Sequence, residues 1–506
     1  MNLRLFRYAA LPLLLLCVPL APFRAAEPEA PVQARGELYA YRFEKAAEFY
    51  AKATAEDPSD GEAWYGLVRA KIEAHHSKDA YEVADEALRK APETPGAQCA
   101  AGLAMYRRGD IGKAEAYFRS AFKINPEHVG ALRGLAMIYS TVSMRRTARE
   151  LILKAWRNAP DDPDLALAHA NTLEGAAHIA ALEALLHRLD AASEQAMRLR
   201  AHIAADKAVG DLKLRQLVSP YEGSRIKLIQ VMNGPQRLRG MGLTVILNQK
   251  HKVTLLLDTG ASGIAISPKT AQSAGLLQAG DESSEAKGIG DEGAQTEFHY
   301  VAQQLRVGDV EFGNYPVSVF RSARTDDVDG LIGADVFQRF MVSIDFPRGV
   351  LSLAPRDPAP TEGGEPVDAA KTPPAGFQRA FRFGNHLSVP TSVNGKQSAL
   401  FLIDSGSSSN LIDTDLARAA SSVYGDSRTV VKGIQGKVSD ISRADRISLV
   451  FAGLRQENPD LIAFSMEKMG DGLGAAMGGV IGMPVLRNLR LTIDYRQGAV
   501  QFDYKK

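Results

Sequence analysis

The chain has 506 residues, of which 24% are charged and 45% apolar, and its formal net charge is +1. That length exceeds what a single hydrophobic core organises, so about three domains are expected. The near-neutral balance supplies no basic field, so nucleic acid and an anionic membrane surface are not expected as partners.

The N-terminus reads MNLRLFRYAALPLLLLCVPLAPFRAAEPEA, with Arg4 and Arg7 ahead of an apolar run over 9–20 and small residues Ala25 and Ala26 before Glu27. This is the layout of an export signal, and a run broken by Pro12 and Pro19 is short for a membrane span. Arg24 suits a cleavage site badly, which leaves an uncleaved anchor open, and Leu16 before Cys17 argues against a lipoprotein. Residues 1–26 are therefore expected to be a signal peptide or N-terminal anchor. The protein is expected to be exported, periplasmic or secreted, with any membrane attachment confined to that segment. Its removal would leave Cys99 as the sole cysteine, excluding an internal disulfide and a cysteine metal site.

Prolines then fall at 58, 92, 126 and 160, a constant spacing of 34. In register with them stand the pairs Ala46/Ala53, Ala80/Ala87, Ala114/Ala121 and Ala148/Ala155, with Tyr50, Trp64, Leu67, Phe118, Leu132, Leu135 and Tyr139 as larger packing residues. Small residues are needed where helices cross closely, and proline ends a helix pair. A period of this size marks a stacked repeat architecture. Over 33–170 the pattern resembles the tetratricopeptide repeat, which implies a superhelical all-α array whose concave face binds a protein partner. A spacer role is the alternative. His75, His76 and His169 sit on charged helical surfaces and read as solvated. Helical periodicity continues without the proline mark as capping helices, so the array is assigned 27–209, with a linker over 210–222.

Beyond this point short apolar runs and glycine punctuation predict β structure. TLLLDTGASG places Asp258 at the end of an apolar run, and ALFLIDSGSSSN does the same for Asp404. An Asp-[Ser/Thr]-Gly tripeptide occurs by chance in about one chain of this length in four, so one copy means little. Here the surroundings repeat as well. Asn248 and Asn394 precede the aspartates by 10 residues in what reads as a hairpin turn. Lys287 and Lys432 follow by 29 and 28, Gly333 and Gly482 by 75 and 78, and Asp345 and Asp494 by 87 and 90. The order describes one lobe written twice, over 223–355 and 377–506, joined by a proline-rich linker over 356–376.

Asp258-Thr259-Gly260-Ala261 and Asp404-Ser405-Gly406-Ser407, with Leu331-Ile332-Gly333 and Val480-Ile481-Gly482 downstream, resemble the aspartic proteases of the retropepsin and pepsin type. The resemblance is to retropepsin-sized lobes in a single chain, as in bacterial-type aspartyl proteases. It implies an all-β, pseudo-twofold, two-lobed fold with Asp258 and Asp404 catalytic. Two adjacent carboxyls cannot both ionise, so one activates water while the other polarises the scissile carbonyl. Thr259 and Ser405 are expected to bond across the pseudo-twofold axis. Gly260 and Gly406 let backbone N–H groups face the carboxyls, with Ala261 and Ser407 following. A hydroxyl at Ser407 against a methyl at Ala261 predicts Asp404 as the more acidic member.

Gly288, Ile289 and Gly290, and Gly433, Ile434, Gln435 and Gly436, are the flap and substrate-binding candidates. Gly333, Gly482, Asp345 and Asp494 read as structural. GIGDEG also fits a dinucleotide fingerprint, but no βαβ unit surrounds it and its duplicate loses the spacing, so no nucleotide is expected. No cofactor is expected, and no metal-binding spacing stands out. The leading expectation is an exported aspartic endopeptidase acting on a peptide or protein substrate, with the array engaging a protein partner. The alternative is an inactive protease-like peptide-binding scaffold. Pairing of lobes between chains is a third possibility, which a linker of about 20 residues makes unnecessary.

Overall fold

Each 34-residue period is built as two antiparallel helices. The pairs are Glu29–Tyr39 with Phe43–Glu56, Gly61–Glu73 with Ser77–Lys90, Pro95–Arg107 with Ile111–Ile124, and Val129–Thr141 with Arg145–Asn158. The computed structural model describes residues 29–210, 212–233, 237–286, 289–291, 293, 295–323, 327–357, 361–362, 365–366 and 372–504. Segment 1–26, Gly288, Lys287 and much of 356–376 lie outside the described residues. The prolines at 58, 92, 126 and 160 each stand just beyond the second helix of a pair. First helices start on side-chain caps: Asp60 accepts from the Glu62 and Ala63 N–H groups, and Thr94 from Ala97. The paired alanines are buried, as are Tyr50, Trp64, Phe118 and Leu132 between the helices they join. Helices Pro163–Ala170, Gly175–Leu186 and Glu194–Val209 continue the array. Among the described residues no helix is long and apolar enough to cross a membrane.

The β half repeats one motif. Strand His251–Asp258 pairs in parallel with Gly330–Gly333, which pairs on its other side with Ile264–Ile266. Strand Gln397–Ile403 pairs in parallel with Gly479–Ile481, which is flanked in turn by Leu411–Asp413. These central strands are apolar on both faces because each is buried on both. Asn248 and Asn394 occupy positive-φ turn positions (φ 45° and 50°), which asparagine tolerates. Each also ties three segments together: Asn248 to Ala274, Gly275 and Gln304, and Asn394 to Ala420, Arg446 and Ser448.

The last repeated landmark joins the lobes. Met341–Asp345 and Leu489–Asp494 pair antiparallel, with Val342 opposite Ile493 and Ile344 opposite Leu491. Their hairpin partners Val350–Ala354 and Ala499–Tyr504 flank them, and Ser224–Lys227 and Gln378–Arg379 complete a six-stranded sheet shared by both lobes. In the single chain described, the two lobes thus pair with each other. Asp345 and Asp494 cap the turns of these hairpins by accepting from Arg348 and from Arg496 and Gln497. Within 210–222, Gln216–Leu217 pairs with the first lobe's sheet.

The array is docked on both lobes. Tyr106, Ile111 and Phe118 share an apolar cluster with Phe383, Leu400, Ala475 and Met477 of the second lobe. Arg107 pairs with Asp471 and its carbonyl accepts from Ala476 N–H at 2.7 Å. His75 and His76 are exposed, as expected, and His75 and the half-buried His169 also have specific neighbours. His75 Nδ1 lies 2.7 Å from Asp471 Oδ2, and His169 stacks on Trp156 with ring centroids 3.7 Å apart. The partners lie on other elements, so no local pattern announces them. At the other end, helix Glu194–Val209 packs against strand Leu277–Ala286 of the first lobe.

Candidate active site

Asp258 ends its strand and sits in register with Gly333. Asp404 follows its strand and donates its main-chain N–H to the Ile481 carbonyl at 3.0 Å. The two turns meet face to face. Thr259 Oγ1 donates to the Ile403 carbonyl at 2.8 Å and accepts from Ser405 N–H at 2.9 Å. Ser405 Oγ donates to the Leu257 carbonyl at 2.7 Å and accepts from Thr259 N–H at 3.0 Å. Both side chains are buried, and four reciprocal bonds fix the separation of the loops.

The glycines are required by close approach. A Cβ on Gly260 would lie 2.5 Å from Asp404 Cγ, and one on Gly406 would lie 2.5 Å from Asp258 Cγ. Each carboxyl therefore covers the bare face of the opposite turn. Gly260 N–H donates to Asp258 Oδ1 at 2.8 Å, and Gly406 and Ser407 N–H donate to Asp404 Oδ1 at 2.8 and 3.0 Å.

The two carboxyls are half-buried where the two turns meet and hydrogen-bond one another. Burial raises Asp258 above the ordinary carboxyl range, against the pull of Asp404 and the Gly260 and Ala261 N–H groups. Burial and then the Asp258 charge raise Asp404 well above it. Two adjacent carboxyls of this kind titrate as one unit. The expected contact of the Ser407 hydroxyl with Asp404 is not made. The Ser407 hydroxyl donates to the Ser409 carbonyl at 2.8 Å, so only its backbone N–H serves the carboxyl.

The described parts of the flap candidates meet one another. Gln435 N–H donates to the Ile289 carbonyl at 3.0 Å, and Asp291 N–H to the Lys437 carbonyl at 2.8 Å. Ile289, from the first lobe, packs against Leu402, Leu411 and Phe464 of the second. Ile434, from the second, packs against Ala265 and Phe320 of the first. Gly290, Gly433 and Gly436 lie at this crossing. Gly333 and Gly482 are away from it, behind the dyad: Gly333 N–H donates to the Gly263 carbonyl, and Gly482 N–H to Asn410 Oδ1 at 3.0 Å.

Three site residues escaped the motif reading. Asp291 accepts from Ser439 N–H and Oγ, both at 2.8 Å, and from Lys468 Nζ at 2.6 Å. The Lys468 and Ser439 bonds hold its carboxyl down to about 2. Asp335 is buried behind the first turn and accepts from Gly263 N–H at 2.9 Å. His386 lies beside Asp258 and hydrogen-bonds the Gly260 backbone; burial lowers its pKa, opposed by the charges of Asp258 and Asp335. Asp335 follows Gly333 closely where the second lobe has Met483-Pro484, a break in the duplication visible in sequence. Nothing local marks His386.

Residues 243–336 and 389–485 match the family described as Aspartyl protease, and residues 37–104 match the family described as Tetratricopeptide repeat. Similar solved structures include the aspartic proteinase from Irpex lacteus, 14% identical, covering 56% of this chain and 98% of its own, with a TM-score of 0.34. A thermophilic TPR protein in Thermus thermophilus is 19% identical and covers 36% of this chain and 99% of its own, with a TM-score of 0.28. No curated protein matches the chain.

Proposed function

We propose, starting from a chain that joins aspartyl protease family domains to tetratricopeptide repeats, that the protein is an aspartic endopeptidase. The observation carrying this reading is the reciprocal packing of Asp258 and Asp404 on Gly406 and Gly260, with both carboxyls raised. A binding scaffold has no use for two adjacent half-buried carboxyls, whereas hydrolysis needs one ionised and one protonated. The ionised member takes a proton from a water lying between them, and that oxygen attacks the scissile carbonyl. The protonated member donates a hydrogen bond to the developing oxyanion, and a proton then passes to the departing amine. The crossed flaps close over an extended peptide and exclude bulk water.

Export to the periplasm or beyond belongs to the same proposal, on the basic, apolar and small-residue layout of the N-terminus. Cell fractionation tests it. The catalytic test is cleavage of a peptide library by wild type, Asp258→Asn and Asp404→Asn. Wild type is expected to cleave and to be blocked by a statine-type inhibitor, and each variant to lose on the order of 10⁴-fold or more in kcat/KM. Peptide binding without cleavage by all three proteins would instead establish the scaffold reading.

A further inference from the structure

Helices Gly175–Leu186 and Glu194–Val209 lie side by side at the end of the array. Three side chains converge between them: His178 from the first, and His202 and Asp206 from the second. His202 and Asp206 are four residues apart, so one helical face presents both. Asp206 Oδ2 lies 3.3 Å from His178 Nε2 and 3.4 Å from His202 Nε2. The three ligand atoms are all within 4.8 Å of one another.

Two features distinguish this cluster from an ordinary ion pair. Asp206 Oδ2 is buried and accepts no hydrogen bond, so neither imidazole directs an N–H along its line. Lys207 does not serve it, being paired with Glu183 at 2.5 Å. Second, His178 Nδ1 lies 2.8 Å from the Ala170 carbonyl oxygen. A carbonyl only accepts, so that nitrogen carries the proton, and in the neutral ring Nε2 then presents a lone pair toward Asp206. Metal-binding imidazoles are oriented in this way, through the nitrogen that does not bind the metal. A lone pair facing a carboxylate oxygen is repulsive unless a proton or another cation stands between them, and no N–H is aimed along that line. The spacing agrees: two ligand atoms each about 2.0–2.1 Å from a tetrahedral ion are about 3.3 Å apart.

We propose that His178, His202 and Asp206 bind a divalent transition-metal ion of the zinc type, with a fourth position open to solvent beside the exposed His202. Two imidazoles and one carboxylate suit such an ion, whereas Mg²⁺ and Ca²⁺ favour all-oxygen sets. The ion clamps the two helices together. Helix Glu194–Val209 is also the platform for the first flap hairpin, since Gly280 of strand Leu277–Ala286 lies against Ala204 and Ala205. His178 stands 24 residues before His202, so no local motif declares the site.

The test uses the full chain, without a polyhistidine tag, stripped by chelator and titrated with Zn²⁺ alone and separately with Co²⁺, Mg²⁺ and Ca²⁺. One equivalent of Zn²⁺ is expected to bind, Co²⁺ to give the visible absorption of a four-coordinate site, and Zn²⁺ to raise the melting temperature. His202→Ala, on an exposed position, and Asp206→Asn, which keeps the side chain's size, are each expected to weaken Zn²⁺ binding by at least roughly tenfold. Both variants should retain the wild-type helical circular dichroism. Absence of stoichiometric Zn²⁺ binding, equal binding of Mg²⁺ or Ca²⁺, or unchanged affinity in both variants would overturn the proposal.

Discussion

A carboxyl whose pKa is raised on folding holds its proton more tightly in the native chain than in the unfolded one. Its contribution to stability is complete below the unfolded pKa and is lost as pH rises through the folded value. Asp258 and Asp404 are both of this kind, so the dyad destabilises the protease half at neutral pH. Asp404→Asn keeps the shape and an acceptor for Gly406 N–H while removing the charge. Its melting temperature at pH 7 is expected to exceed that of wild type, and the difference to vanish below about pH 3.9, the ordinary carboxyl value. Each pH unit of displacement is worth about 1.4 kcal/mol. A variant no more stable than wild type at pH 7 would contradict the raised dyad. His386 has the opposite sign: lowered by burial, it favours the folded chain above its ordinary pKa and loses that contribution as pH falls.

Among the elements, the first flap is tied to the opposite lobe by more than its tip. Asp291 bonds Ser439 and Lys468 of the second lobe, and because its carboxyl is held down to about 2 this latch stays charged through the acid range. Asp291→Ala removes these bonds without touching the dyad. A loss of about 1 kcal/mol in flap closure is expected, read as a roughly fivefold rise in KM with kcat unchanged. A fall in kcat at constant KM would place Asp291 in the chemistry instead. The repeated landmarks made both lobes, the dyad and the two flap hairpins legible in sequence, because duplication compares a chain with itself. The latch was not legible, since Lys468 lies 177 residues from Asp291 and has no counterpart in the first lobe's pattern. The shared sheet was half legible: its hairpins stood out as repeats, but their pairing is a contact between repeats. His386 and the Ser407 hydroxyl depend on where neighbouring backbone happens to pass, which spacing does not encode.

At the scale of the whole molecule, one short helix connects array and flap. Glu467–Leu473 offers Lys468 to Asp291 and Asp471 to Arg107 and His75, while its Met469 and Leu473 pack into the cluster shared with the array. The first-helix face of the repeats, on Tyr106 and Arg107, is thus partly occupied by the chain's own second lobe. Arg107 and Asp471 are both mostly buried, with 10% and 17% of their side chains exposed. Removing one member leaves the other without its main partner, Asp471 keeping only the exposed His75, which costs about 3 kcal/mol or more, while removing both leaves no buried uncompensated charge. Asp471→Ala and Arg107→Ala are each expected to lower stability by about that amount. Hydrogen exchange should then rise in helix Pro95–Arg107 and in strand Gln397–Ile403, which meet across the interface. The double variant should lose much less than the sum of the two, with a coupling of about 1–3 kcal/mol. Strict additivity would mean that the array and the second lobe do not couple through this pair, leaving Met469, Leu473 and the His75 contact to join the helix Glu467–Leu473 to the array.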